Sequence, residues 1–382
     1  MRNCSKALKT TAAGFVLTLF PLATFAQHYT QTNLVSDLAN FNGQPVGVQD
    51  PTFKNSWGLT RSASSPWWIN NAGTGTSALY TGAGKVVSPP SPVVVPNAPG
   101  AKGNSSPTGV LFNGTTDFLI KNVAGKTPAP ALFIFSTENG TISGWNPAVT
   151  PLQLAVNEVV EKGAVFTGLT LIEEDGNHFL LAANFSQNRI EKFDTNFNRV
   201  RSSEERFDDD RLPAGFAPYN VQAVGDNVVV TYARQNPQKT GADDDNCGEE
   251  CGFVDVFSIH GRLVQRLQHV PGTLTAPWGV ALAPQDFGFF SHDLLIGNRF
   301  GGTIAAFNLA DGRFLGNLLD ESGSPIAMPG LWAIAFDNRA SNQASPSPGP
   351  ALFFAAGING YANGLFGTLT PVTAELNAED HQ

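Results

Sequence analysis

The chain is poor in cysteine, in positive charge and in helical periodicity, and each shortage excludes something. Only three Cys occur in 382 residues, too few for a multi-cysteine metal cluster. Lys and Arg number 23 against 32 Asp and Glu, giving a net charge of −9 and a pI near 5.1, which argues against nucleic acid or an anionic membrane as main partner. No long segment carries a 3.6-residue apolar period outside the first 26 residues. The reaction motifs are missing too. There is no G-x-S-x-G elbow, no pair of His at i, i+4, and no Gly-rich loop in a strand-to-helix context. What is present is 42% hydrophobic residues, 39 Gly, 26 Pro and 28 Phe. That mixture of core formers and turn formers points to a folded β architecture.

Residues 1–26 read as an export signal. Arg2, Lys6 and Lys9 precede the apolar run "AAGFVLTLFPLATFA", which suits cleavage after Ala26. The run is short for a membrane span and no second one follows, so no membrane span is expected. Removal of residues 1–26 leaves only Cys247 and Cys251, in "DDDNCGEECG". In an oxidising compartment, secreted or periplasmic, the expected reading is a Cys247–Cys251 disulfide. The acids around it, Asp243 among them, do not follow EF-hand spacing and read as a solvated loop.

One short phrase recurs along the chain. "NSWGLTRSA" (55–63) and "APWGVALAP" (276–284) are matched more weakly by "SPTGVLF", "VFTGLTL", "APYNVQA" and "GLWAIAF". Aligned on the residue before Gly or its substitute, the column is Trp57, Thr108, Thr167, Tyr219, Trp278 and Trp332, spaced by 51, 59, 52, 59 and 54 residues. A period of about 50 fits one four-stranded blade per repeat. Each repeat adds a second apolar run, such as "PWWINN", "HFLLAAN" or "DLLIGN", then a third and a fourth. The expected fold is all-β: a six-bladed β-propeller over 27–372, with residues 28–38 supplying the outer strand of the last blade. Residues 373–382 are expected to form a flexible tail.

The starts of the inner strands and the ends of the second strands share one channel mouth in such a fold. Trp57, Thr108, Thr167, Tyr219, Trp278 and Trp332 would ring that mouth, either as a ligand platform or as inter-blade packing. The Gly that follows would allow strands to crowd the axis. Asn71, Asn184 and Asn298, with Glu138, carry a Ca²⁺ reading beside a plainer one in which the amides cap strand ends. A hydrolase would want a second carboxylate, and none is placed.

The segments "NSWGLTRSASSPWWINNAGTGTSALYTGAG", "GFVDVFSIHGRLVQRL", "APWGVALAPQDFG" and "DLLIGNRFGGTIAAFN" resemble a family of exported bacterial proteins of uncharacterised function. The resemblance covers nearly all of the mature chain. It implies a six-bladed propeller related to NHL-repeat and gluconolactonase-like folds, and export. It supplies no catalytic residues. "CGEEC" departs from it, where the family carries a Gly-rich stretch. Two functions are therefore expected: a monomeric exported propeller binding a small molecule, glycan or protein at the mouth, or a Ca²⁺-assisted hydrolase or lactonase.

Overall fold

Short strands rich in Val, Ile, Phe and Trp, punctuated by Gly turns, pair with their sequence neighbours in the first five repeats, so each of these forms one antiparallel four-stranded sheet. A computed structural model describes residues 27–121, 123–201, 207–237, 243, 251–337 and 350–376. Blade 1 runs outward through Ser56–Thr60, Trp67–Asn71, Thr76–Tyr80 and Val93–Val94. Blade 2 follows with Pro107–Phe112, Phe133–Thr137, Thr141–Trp145 and Val156–Val160. Blades 3, 4 and 5 begin at the inner strands Phe166–Glu174, Phe216–Val224 and Pro277–Leu282 and are built the same way. Tight turns such as Asp175-Gly176 join the strands, with both residues at positive φ as a two-residue hairpin demands.

Blade 6 draws on both ends of the chain. Leu331–Phe336, Leu352–Ala356 and Leu365–Pro371 are completed by His28–Ser36, which runs antiparallel to the last of them from Tyr29↔Pro371 to Ser36↔Leu365. The expected closure by the N-terminal strand is therefore what the ring uses. Beyond Pro371 the helical turn Thr373–Leu376 brings Glu375 back to this strand. Its carboxylate accepts from the His28 backbone N–H at 2.7 Å, lies 2.7 Å from the His28 ring Nδ1, and accepts from Gln27 at 3.0 Å.

The inner strands of successive blades touch around the whole ring, blade 6 against blade 1 included. Glycine makes this approach possible. A Cβ on Gly58 would stand 2.4 Å from the Thr108 carbonyl oxygen, and one on Gly279 would stand 2.8 Å from the Trp332 carbonyl oxygen. Blade 4 has Asn220 at this position, and its amide donates to the Trp278 carbonyl of blade 5 at 2.8 Å. Among the described residues, no helix is long and apolar enough to cross a membrane. Residues 1–26 and Cys247 lie outside the described residues, while Cys251 is buried at the start of the third strand of blade 4.

Two outcomes follow. Gly58→Ala meets only backbone atoms of blade 2, so urea unfolding should show a loss of about 1–3 kcal/mol, as overpacking of a tight contact costs. Burial pushes the Glu375 carboxyl up, but the His28 backbone, ring and charge together hold it below its ordinary value of 4.5. The closure it contributes is complete above 4.5 and fades as pH falls through the lowered value. The melting difference between wild type and Glu375→Gln should thus be largest near neutral pH and shrink in acid.

Candidate functional site

Each inner strand carries one extra residue where it enters the channel. The register slips at Thr167, Tyr219, Trp278 and Trp332 in blades 3 to 6, and within 57–58 and 108–109 in blades 1 and 2. A β-bulge re-aims the side chain of its extra residue. Six bulges at one level turn the whole column toward the axis.

There the aromatic members close on one another. Trp57 stacks on Trp332 with ring centroids 3.6 Å apart and an interplanar angle of 12°. Trp278 stands edge-on to both, at 6.2 and 6.4 Å, and Tyr219 lies 5.9 Å from Trp332. The Trp278 indole N–H reaches across to the Thr167 carbonyl at 2.9 Å, and the Thr108 hydroxyl donates to the Phe166 carbonyl at 2.7 Å. Trp57, Trp278 and Trp332 are 3, 6 and 3% exposed. They form a plug. Beyond it the channel persists as a cavity of about 140 Å³, walled by residues of all six inner strands.

The second strands end opposite these bulges. Asn71, Asn184 and Asn298 pair with Ser56, Phe166 and Pro277, whereas the second strands of blades 2 and 6 end at Thr137 and Ala356. Asn298 accepts from the Thr275 N–H at 2.9 Å and donates to the Thr273 carbonyl at 2.9 Å. Asn184 accepts from the Val165 N–H at 3.3 Å and donates to Glu191 at 2.6 Å. Both amides fasten the loop that enters their own blade, which is the strand-end role. Each amide oxygen accepts a backbone N–H, and the hydrogen bonds of these two amides share no partner with the Ser106–Glu138 bond. Asn71 keeps its buried amide oxygen without a partner. Among the described residues no group of three or more His, Cys, Asp or Glu gathers as metal ligands do.

One position further along lies the column that faces the plug: Ala72, Glu138, Phe185, Ala233, Arg299 and Gly357. Phe185 packs on Tyr219 at 4.9 Å, and Ala72 and Ala233 belong to the same apolar cluster as the tryptophans. Arg299, 2% exposed, pairs with Asp243 and with the Tyr361 hydroxyl, and its guanidinium lies 5.6 Å from the Trp332 ring. The Tyr219 phenol lies close enough to the Asp243 carboxylate to feel its charge. Burial pushes the Glu138 carboxyl up, and the Asp243 charge adds to that, while the Ser106 hydroxyl and Arg299 act against it. Burial, reinforced by Asp243, also raises the Tyr219 phenol well above its ordinary value. Asp243 is thus not a solvated residue: it pairs with Arg299 and adds a second carboxylate beside Glu138.

A larger cavity, about 840 Å³, opens between blades 3 and 4 and is walled by Arg189, Glu191, Arg199, Asp209 and Tyr232 among others. None of the six column residues borders it.

No family model matches the chain. An uncharacterized protein, R648, of Acanthamoeba polyphaga mimivirus is 31% identical over 330 residues, covering 84% of this chain and 76% of the viral one. The chain belongs to the family of R648. Two solved structures share the fold of this R648-family chain. A protein of unknown function from Bacteroides thetaiotaomicron superposes with a TM-score of 0.53 at 12% identity, over 90% of this chain and 76% of its own. A streptogramin B lyase superposes with a TM-score of 0.50 at 10% identity, over 91% and 98%.

The six column residues meet as the repeat predicts. Arg299, Tyr361 and Asp243 are the members that sequence reasoning missed. Arg299 directly follows Asn298, and a one-residue shift of the strand-end column would have found it. Tyr361 and Asp243 sit in connections between strands, where no repeat marks them.

Because the tryptophans are packed against one another, Trp278→Ala should destabilise the protein by about 3–5 kcal/mol, the cost of emptying a large aromatic site. Urea or thermal unfolding measures it. An unchanged unfolding midpoint would mean that the indole is not part of the packing.

Proposed function

We propose that this R648-family protein is an exported binding propeller that takes a small molecule, a glycan or a group of a partner protein at the plugged mouth. The observation that supports this most is Arg299. A guanidinium held at 2% exposure needs compensation that a purely structural plug of Trp, Phe and Ala does not require. Placed beside two tyrosine hydroxyls and a carboxyl pair, it is a recognition group on a rigid floor. The basic and apolar character of residues 1–26 supports export to a secreted or periplasmic location.

A lactonase-type hydrolase is the second reading, and the Glu138 and Asp243 carboxyls favour it. Two neighbouring carboxyls, one raised by burial, are the kind of pair that divides acid and base roles. Fold likeness does not choose between the two readings, since one fold carries many chemistries.

A thermal-shift panel of sugars, sugar acids and amino acids on the mature protein tests the first reading. Stabilising ligands should lose their effect in both Arg299→Gln and Tyr361→Phe. Ligands that stabilise both variants as well as wild type bind elsewhere, and that result would overturn the mouth as the site. Turnover of a lactone, together with a stoichiometric divalent ion lost in Asn298→Ala, would select the hydrolase.

A further inference from the structure

We propose that Gln27 is a modification site controlled by ring closure: its conversion to pyroglutamate is held off while Glu375 grips its side chain. The inference rests on the export reading of residues 1–26, whose removal after Ala26 leaves Gln27 as the first residue. An N-terminal glutamine carries its own reaction partner. The α-nitrogen attacks Cδ of the side-chain amide, the N–Cδ bond forms and the Cδ–Nε2 bond breaks. Nε2 departs as ammonia with the proton that the α-amine gives up. The product is a neutral five-membered lactam, and no other reactant is consumed. The amine attacks in its uncharged form, which is well populated near its ordinary pKa of about 8.

The structure holds both ends of that amide. Nε2 donates to Glu375 Oε2 and to the His28 carbonyl, each at 3.0 Å. Oε1 lies against Gly288, where an added Cβ would stand only 2.3 Å from it. The residue as a whole is buried. Departure of Nε2 breaks both hydrogen bonds, one of them to a charged acceptor and so among the stronger kind. The lactam cannot replace them in place, because its one N–H sits on the former α-nitrogen.

The grip belongs to the closure of blade 6. Glu375 stands on the turn Thr373–Leu376 beyond the last strand, and its Oε2 also accepts from the His28 N–H at 2.7 Å, at the start of the closing strand. A chain whose two ends have met therefore holds its first side chain, and a chain still open does not. Pyroglutamate at this position records time spent open. A chain modified before closure keeps the His28 tie to Glu375 and loses the one from Gln27.

The test expresses the full chain with its own residues 1–26 and recovers it from the periplasm or medium. Mass spectrometry of the N-terminal peptide reads cyclisation as the loss of one ammonia. The mature protein should begin at an open Gln27. At a pH near 8 the folded protein should lose ammonia at least about tenfold more slowly than the same protein unfolded in guanidinium chloride. Glu375→Ala, shown to be folded by circular dichroism, should move toward the unfolded rate, and Glu375→Gln, which keeps a neutral acceptor, should fall between. Equal rates in folded and unfolded wild type would overturn the inference, and that comparison needs no variant to fold. So would a folded Glu375→Ala as slow as wild type, a freshly exported chain that is already cyclised, or a mature chain that begins elsewhere than Gln27. Each of these leaves the export reading standing. A chain that stays in the cell and keeps residues 1–26 removes both.

Discussion

Six inner strands can share one axis only if the side chains at their closest approach are nearly absent. Here the backbone of each blade comes so near the next that a Cβ at Gly58 or Gly279 would enter a neighbour's carbonyl oxygen. Gly58, Gly109, Gly168 and Gly279 meet this condition, and Ala333 meets it in blade 6 with a single methyl. Asn220 shows the same constraint in another form, since its amide turns the close approach into a hydrogen bond with blade 5. The bulge just before each of these positions follows from the geometry. A strand that must bend toward the axis gains a residue there, and that residue's side chain points inward.

The plug and the polar mouth are consequences of that inward turn. Three indoles, one phenol and two threonines arrive at one level, and their volume fills the channel. Aromatic stacking contributes about 0.5–1.5 kcal/mol per pair beyond the apolar area it buries, so the plug also helps to hold the blades in a ring. With the axis sealed, ligand access from this face stops at the plug, and the next column of residues becomes the surface that matters. Arg299 and Glu138 stand in that column, and Asp243 and Tyr361 reach it from connections between strands.

Much of the fold was legible before any coordinates. Trp57, Trp278 and Trp332 mark equivalent positions because the same steric problem is solved six times, and the sixth repeat, short of a clear outer strand, leaves that place for residues 28–38. The site was only half legible. Glu138 could be named from its place after a strand, but Arg299 was passed over for Asn298, because alternation along a strand fixes its two faces and not where a bulge shifts the count. Asp243 looked solvated for a physical reason: an acidic, Gly-containing stretch has no periodicity, so the pairing of Asp243 with a buried guanidinium has no signal in the sequence. The recurring strand-end amides have a structural reason of their own. Asn184 and Asn298 recur because each fastens the loop entering its own blade, a duty repeated with the fold.

The central claim is that the channel-mouth tryptophans are interior residues and not an open platform. Acrylamide quenching of tryptophan fluorescence in the native protein tests it most directly, because all six Trp of the chain are buried, none more than 6% exposed. The account predicts blue-shifted native emission and weak quenching, with strong quenching only after unfolding in denaturant. Efficient quenching of a substantial share of the native emission would contradict it.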